Sequence, residues 1–367
     1  MDRRRFLKNT TGASAALLAG TALAAPAIAQ TMPTIRWRMT SSFPKSLDAI
    51  YAAGEFISRR VAALTDNKFQ ISVFASGEIV GGLMALDAVQ NASVELGHTM
   101  TYYYIGKDVT AAFSAAIPFG LNARQQIAWM LDGGGIDLMN EFWKQYNVVC
   151  IPAGNTAAQM GGWFRREINT VDDLKGLKFR VGGLAGRVLS KLGVVPQQIP
   201  AGEIYPAIEK GTIDAAEWLG PYDDEKLGLN KVAKYYYYPG WWEGSAQVSL
   251  LVNNDKWNEL PPLYKTALQT ACEASTSWML ARYDAQSPAA LRRLAASGTE
   301  FRSFSLEIMD ASYRAAQELY AELAASNANW KKVYEPWKKF MGEEHLWFRV
   351  AEHSFDNYMY SIASRSR

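Results

Sequence analysis

Asp172–Gly183 reads DDLKGLKFRVGG, and after a short gap Ala201–Trp218 reads AGEIYPAIEKGTIDAAEW. Strand alternation over Leu177–Val181 puts Leu177, Phe179 and Val181 on one face and Arg180 on the other. Glu203–Lys210 has the spacing of a short helix, and Gly211 is its C-terminal stop. Ile213–Trp218 returns to a strand in which Ile213, Ala215 and Glu217 share a face. A cation on one strand and an anion at the end of the next, both among apolar residues, point to a closed polar site for a small charged ligand.

The alternation of strand and helix extends on both sides. Thr34–Thr40 sets Ile35, Trp37 and Met39 against Arg36 and Arg38, a half-buried strand. A helix follows over Ala49–Leu64, then a strand over Lys68–Phe74, a helix over Leu83–Asn91 and a short strand over Leu96–Thr101. The Gly133-Gly134-Gly135 run breaks a helix-rich stretch between Arg124 and Tyr146, and Val148–Ala153 is a buried strand. Met160–Arg165 and Gln247–Asn253 read as strands, and Ala185–Leu192 and Leu263–Leu280 as helices. From Ser305 onward the pattern is almost wholly helical. This is an α/β fold class. Its length exceeds what one core usually supports, so two lobes with a cleft between them are expected. Lobe I would hold residues 30–154 plus about 245–304, and lobe II residues 155–244. Residues 305–367 would form C-terminal helices.

Residues 1–29 read as an export signal. Arg3, Arg4 and Arg5 start it, Ala13–Ala25 is apolar, and Ala27-Ile28-Ala29 is a small-x-small cleavage site. The order Arg3 to Lys8 resembles a twin-arginine signal, with an ordinary Sec signal as the alternative. No cysteine stands at the cleavage site to carry a lipid anchor. The chain's net charge is +2, but the signal holds four basic residues and one acid, so the remainder is near −1. That leaves no basic field for nucleic acid or anionic lipid. No later apolar run reaches the about 18 residues of a membrane span. Cys150 and Cys272 lie in apolar surroundings and read as buried free thiols, although an exported chain could bridge them. His98, His345 and His353 are scattered, without metal-ligand spacing to the cysteines.

Three charged residues are candidates for the site. Arg180 needs an anionic partner, either a ligand carboxylate held by the two-pronged guanidinium or a structural ion pair with Asp214. Glu217 points into whatever lies at its strand's end, or is an exposed strand-terminal acid. Glu243 follows the aromatic run Tyr235–Trp242, which lines a cleft or forms a packed aromatic surface or edge strand. If Glu217 and Glu243 meet, two like charges about 4 Å apart cost about 4 kcal/mol at an effective dielectric near 20. One arginine cannot neutralise both glutamates and a ligand carboxylate. A hard cation such as Na⁺ or Ca²⁺ on oxygen ligands is the natural remedy, and Gln159 could add a neutral carbonyl.

Three segments together resemble the substrate-binding proteins of TRAP transporters (the DctP-type family), over nearly the whole chain after the signal. Asp173–Arg180 is similar to the family's Leu-Lys-Gly-x-Lys-x-Arg signature, Glu203–Glu217 to its helix-Gly-x-x-Asp-x-x-Glu segment, and Trp257–Pro261 to its Trp-x-x-Leu-Pro helix start. The resemblance implies a two-lobed periplasmic binding protein fold, with an interdomain ligand cleft and a long C-terminal helical segment. It implies a receptor rather than an enzyme, working with TRAP membrane subunits. Arg180 would bind a ligand carboxylate. Glu217-Trp218, with Gln159 and Glu243, is similar to the branch that binds a 2-oxo or 2-hydroxy monocarboxylate through a metal ion. There Gln159, Glu217 and the Trp218 carbonyl would hold the cation, sodium or alternatively calcium, while Asn155 and Tyr103 would complete the ligand contacts. A pyruvate-like acid is the expected ligand, with lactate or another organic acid as the alternative.

Two further expectations complete the reading. Trp330, Tyr334 and Trp337 recur at helical spacing, interrupted by Pro336, and Trp347, Phe348, Phe355 and Tyr358 continue the aromatic theme. These apolar helices either pack on their own domain or need a partner surface, and the resemblance favours a homodimer. The remote rival is an exported hydrolase using Glu217 and Glu243 as acid and base.

Overall fold

The structure, a computed structural model, describes residues 32–365. The expected export signal over residues 1–29 lies outside the described residues. In β1 (Ile35–Ser41) Trp37 and Met39 are buried while Arg36 and Arg38 are exposed, so the alternation in sequence is the alternation in burial. β1 pairs in parallel with β2 (Phe69–Phe74) on one side and with β3 (Leu96–Thr99) on the other. β4 (Val148–Asn155) joins this sheet through an antiparallel strand that arrives about a hundred residues later, β10 (Gln247–Asn253). The order is β2-β1-β3-β10-β4. β10 is buried along its whole length, its polar Gln247, Ser249 and Asn253 included.

A second sheet takes the chain between those two crossings. Its strands are β5 (Gly162–Phe164), β6 (Lys178–Arg180), β7 (Val195–Gln197), β8 (Ala215–Ala216), β9 (Tyr235–Tyr238) and β11 (Glu300–Ser303). Their order is β11-β9-β5-β8-β6-β7. The helix Ala201–Glu209 connects β7 to β8, and β6 lies between them, parallel to both. Arg180 and Glu217 therefore stand at the carboxyl ends of adjacent parallel strands, where α/β sheets present their ligand sites. The strands are shorter than the sequence suggests: Ile213–Trp218 contributes only Ala215–Ala216, because Glu217 and Trp218 turn off into the site. The Tyr235–Tyr238 run is an internal strand rather than an edge, since β11 pairs beside it from Glu300↔Tyr235 to Ser303↔Tyr238. Residues 300–303, which the sequence reading placed with lobe I, thus pair in the second sheet. The chain returns to the second sheet for β11, where Phe301 packs on Tyr236, and Phe304 just beyond the strand packs on Tyr237.

The helix expected over Leu263–Leu280 runs on as Pro262–Ala296, passing through Pro288. It packs against helix Ile50–Leu64 and β4 of the first sheet, and against helix Pro221–Lys226 of the second. Helices Leu306–Ser326, Ala328–Val350 and Glu352–Arg365 follow. Trp330 lies against Phe113 with ring centroids 4.6 Å apart, and Trp337 against the same ring at 5.5 Å, so this half of the aromatic series is internal core. Pro336 is accommodated inside helix Ala328–Val350. The other half is outside: Trp347 is 58% exposed and Phe355 and Tyr358 are each 64% exposed. Cys150 and Cys272 are free and buried. Among the described residues no helix is long and apolar enough to cross a membrane.

Candidate functional site

Arg180 and Glu217 are each 1% exposed and face one another directly. Arg180 Nη1 donates to Glu217 Oε1 at 2.5 Å and to the Glu217 carbonyl at 2.6 Å, and Nε donates to the Ile199 carbonyl at 3.0 Å. Glu217 Oε1 also accepts from the Gly182 N–H at 2.9 Å. The guanidinium lies over the Trp218 ring, 5.1 Å from its centroid. The alternative pairing with Asp214 does not occur. Asp214 Oδ2 instead accepts from the Lys178 N–H at 2.9 Å, at the outer start of β6. Burying this pair means that removing either partner strands the other's charge, at about 3–5 kcal/mol.

Gln159 and Glu243 are brought together by the backbone. The Gln159 N–H donates to the Glu243 carbonyl at 3.2 Å, and the Gly240 N–H to the Gln159 carbonyl at 3.0 Å. Gln159 Nε2 donates to Thr156 Oγ1 at 3.0 Å, and that same hydroxyl oxygen accepts from the Ala246 N–H at 3.2 Å. This fixes the amide so that its oxygen is the free end. Asn155 ends β4 opposite Gln247, its Oδ1 accepting from the Ala157 N–H at 2.9 Å. The polar atoms left buried without a protein partner include Asn155 Nδ2, Gln159 Oε1, Glu217 Oε2 and Glu243 Oε2. Buried polar atoms in native proteins are almost always paired, so one donor and three acceptors left over here point to a ligand.

The electrostatics agree. Burial pushes the Glu243 carboxyl well above the usual carboxylate range, and the negative charge of Glu217 adds to it. Burial also raises Glu217, against the opposing pull of Arg180. Two buried carboxyls sharing one guanidinium leave one negative charge over, to be balanced by a proton or a metal ion. The donor set of two carboxylate oxygens and one amide oxygen suits a hard cation such as Na⁺ or Ca²⁺.

Tyr103 is buried close enough for Arg180, Glu217 and Glu243 to perturb its phenol, which burial raises above the usual tyrosine range. Its carbonyl accepts from Gln198 Nε2 at 3.0 Å. Trp218 is 4% exposed, with its ring 6.4 Å from that of Phe43. Sequence reasoning missed Tyr102, a buried residue whose ring lies on the Gly182–Gly183 backbone and whose phenol, raised by burial, also feels the charge of Glu243. It also missed Phe43, Thr156 and the Gly182 N–H. The Tyr102-Tyr103-Tyr104 run was visible, but nothing in its spacing says which ring faces the site. Backbone donors leave no trace in composition at all.

Three comparisons place this chain among known proteins. The family described as bacterial extracellular solute-binding protein, family 7, matches residues 40–327. A monocarboxylate 2-oxoacid-binding periplasmic protein of Nostoc sp. is 49% identical over 360 residues, covering 98% of this chain and 99% of that one. A TRAP transporter solute-binding protein from Bordetella bronchiseptica is 52% identical with a TM-score of 0.90, covering 91% of this chain and 100% of that one. It is a dimer of mixed occupancy, with copurified calcium and picolinate in one active site and the other apo. A TRAP periplasmic solute-binding protein from Pseudoalteromonas atlantica, with bound sodium and pyruvate, is 35% identical with a TM-score of 0.86, covering 88% of this chain and 99% of that one. With a family match across most of its length and relatives near half identity over nearly all of it, the chain belongs to the extracellular solute-binding proteins of family 7, a family of receptors rather than enzymes.

Proposed function

We propose that this protein is the periplasmic receptor of a TRAP transporter for a 2-oxo monocarboxylate of pyruvate size, held jointly by Arg180 and a bound cation. The observation that carries the reading is the trio of buried, unpartnered oxygens, Gln159 Oε1, Glu217 Oε2 and Glu243 Oε2, beside a buried guanidinium. The relatives that bind 2-oxoacids, pyruvate with sodium, or picolinate with calcium support it.

Arg180 would take one carboxylate oxygen. Its bonds to the protein use Nε and Nη1, so Nη2 is the nitrogen available to a ligand. Asn155 Nδ2 and Tyr103 would add contacts to the acid. Gln159 Oε1, Glu217 Oε2, the Trp218 carbonyl and Glu243 Oε2 would hold the cation. Such an ion chelates a carboxylate oxygen and the adjacent keto oxygen together, which fixes the ligand's orientation and disfavours acids lacking the second oxygen. Lobe I would comprise residues 30–154 and about 245–304 without β11, and lobe II residues 155–244 with it. Closure of the two would exclude water from the charges and form the face that the membrane subunits read. Export by a twin-arginine signal and a homodimer through the exposed C-terminal helices complete the proposal.

Isothermal titration of pyruvate into metal-stripped protein tests it, with sodium, with calcium and with neither. Saturable binding that needs one of the two cations, with acetate much weaker, is expected. Equal affinity for acetate and pyruvate, or binding indifferent to both cations, would overturn it.

A further inference from the structure

Trp218 at the site is followed within eight residues by a side-chain cluster on the protein surface that the ligand chemistry does not use. Asp48, in the turn ahead of helix Ile50–Leu64, reaches across to helix Pro221–Lys226 of the second sheet. Its Oδ1 pairs with Lys226 Nζ, and its Oδ2 accepts from Tyr222 Oη at 3.1 Å and from Arg282 Nη2 at 2.8 Å. Lys226 Nζ lies 3.3 Å above the Tyr222 ring, so the cation is held between the carboxylate and the ring face. The Asp48 side chain is 47% exposed and that of Lys226 only 25%, so the cluster is partly withdrawn from water.

Two facts give the cluster a role. The first is that it forms the outer end of a seam whose inner end is the site. Phe43 packs its ring against Trp218 inside, and five residues further along the same segment Asp48 meets Tyr222 and Lys226 outside. The second is that helix Pro221–Lys226 is bound to the site as one body. The buried Asp224 accepts from the Leu219 N–H at 3.1 Å, from Tyr236 Oη at 2.7 Å and from Trp163 Nε1 at 3.0 Å. The helix is thus locked to the second sheet and to the residue after Trp218. Asp223 Oδ2 takes the Tyr283 hydroxyl at 2.8 Å on the other side. Any motion that carries Glu217 and Trp218 away from Phe43 also carries Tyr222 and Lys226 away from Asp48.

We infer that Asp48, gripping Tyr222 and Lys226 across the seam, is the latch that holds the two lobes closed over the ligand and sets how slowly the ligand leaves. Asp48 touches neither ligand nor cation and is a positioning residue. The inference rests on the proposed receptor function for its kinetic readout. Because the latch joins surface charges, it weakens as salt screens them.

The test is a double-mutant cycle of Asp48→Asn and Lys226→Met, read by stopped-flow tryptophan fluorescence with pyruvate as the probe. Each single change is expected to raise the dissociation rate roughly threefold to tenfold, the range of an ion pair in a partly buried network. The double variant should be no faster than the quicker single one. The association rate, the preference for pyruvate over acetate and the melting temperature of the ligand-free protein should stay as in the wild type. Unchanged dissociation, effects that multiply in the double variant, or a fall in melting temperature matching the loss of affinity would each overturn the latch. If wild-type protein binds no pyruvate, the proposed ligand fails instead. Small-angle scattering of the ligand-free forms then decides: a more extended Asp48→Asn variant supports the latch, and identical profiles overturn it.

Discussion

Arg180 has more duties than a ligand clamp. It neutralises Glu217, bonds the backbone at Ile199 and Glu217, and lies over Trp218. Lysine can supply the charge but not the fork, so Arg180→Lys cannot serve the Ile199 carbonyl, Glu217 and a ligand carboxylate together. We expect pyruvate affinity to fall about a hundredfold, equivalent to about 2.7 kcal/mol, with the loss seen by calorimetry. A second residue-scale prediction concerns the acids behind the site. Burial pushes the Asp223 carboxyl up to about 7, although the Tyr283 hydroxyl pulls the other way, and burial pushes Asp224 up to about 6. A carboxyl with a raised folded-state pKa binds its proton more readily folded than unfolded. Its contribution is therefore full at low pH and lost as pH rises through about 7. Chemical denaturation should show the protein gaining about 1 kcal/mol from Asp223 between pH 8 and pH 6, and Asp223→Asn should flatten that slope. A slope as steep in the variant would place the titration elsewhere.

At the scale of elements, what the sequence made legible follows from burial pattern. β1 is recognisable because one face is wet and the other dry, and β10 because both faces are dry. β7 and β11 are three and four residues long, too short for any period to register, and their strand character comes from their neighbours in the sheet. The site was legible where charge is out of place, at Arg180 and Glu217. It was illegible where geometry alone assigns the role, as for Tyr102 and Gly182. Gly183 illustrates the second kind. Its φ of +61° lies in the left-handed region, and a Cβ there would meet Tyr102 at 3.1 Å. It opens helix Gly183–Lys191 directly beside the Gly182 N–H that holds Glu217. Gly183→Ala should cost about 1–2 kcal/mol of stability from backbone strain. It should also weaken pyruvate binding by displacing the Tyr102 ring that packs on this backbone. An alanine variant with wild-type affinity would show that the Tyr102 seat is dispensable.

At the scale of the whole molecule, two features remain after the lobes and their cleft are explained. One is the long helix Pro262–Ala296, which packs against β4 of the first sheet and against helix Pro221–Lys226 beside the second, and so couples the two. The other is the C-terminal apolar surface, where Leu346, Trp347, Val350, Phe355, Tyr358 and Tyr360 are each more than half exposed. Large exposed apolar patches on soluble proteins mark interaction surfaces. Helix Glu352–Arg365 buries none of its larger apolar side chains in this chain, so the proposed dimer would supply their cover. Trp347→Glu combined with Phe355→Glu should convert a dimer into a monomer by light scattering while leaving pyruvate affinity within about twofold. A wild-type protein that is already monomeric at micromolar concentration would refute the dimer without touching the receptor assignment. The central claim, that a guanidinium and a captured hard ion jointly hold one organic acid between closed lobes, is tested most directly by a high-resolution crystal structure grown with pyruvate. The account predicts Arg180 within hydrogen-bond distance of the ligand carboxylate, and a cation about 2.3–2.6 Å from Gln159, Glu217 and the Trp218 carbonyl. Pyruvate bound with Arg180 still paired to Glu217 alone, and no ion beside Gln159, would contradict it.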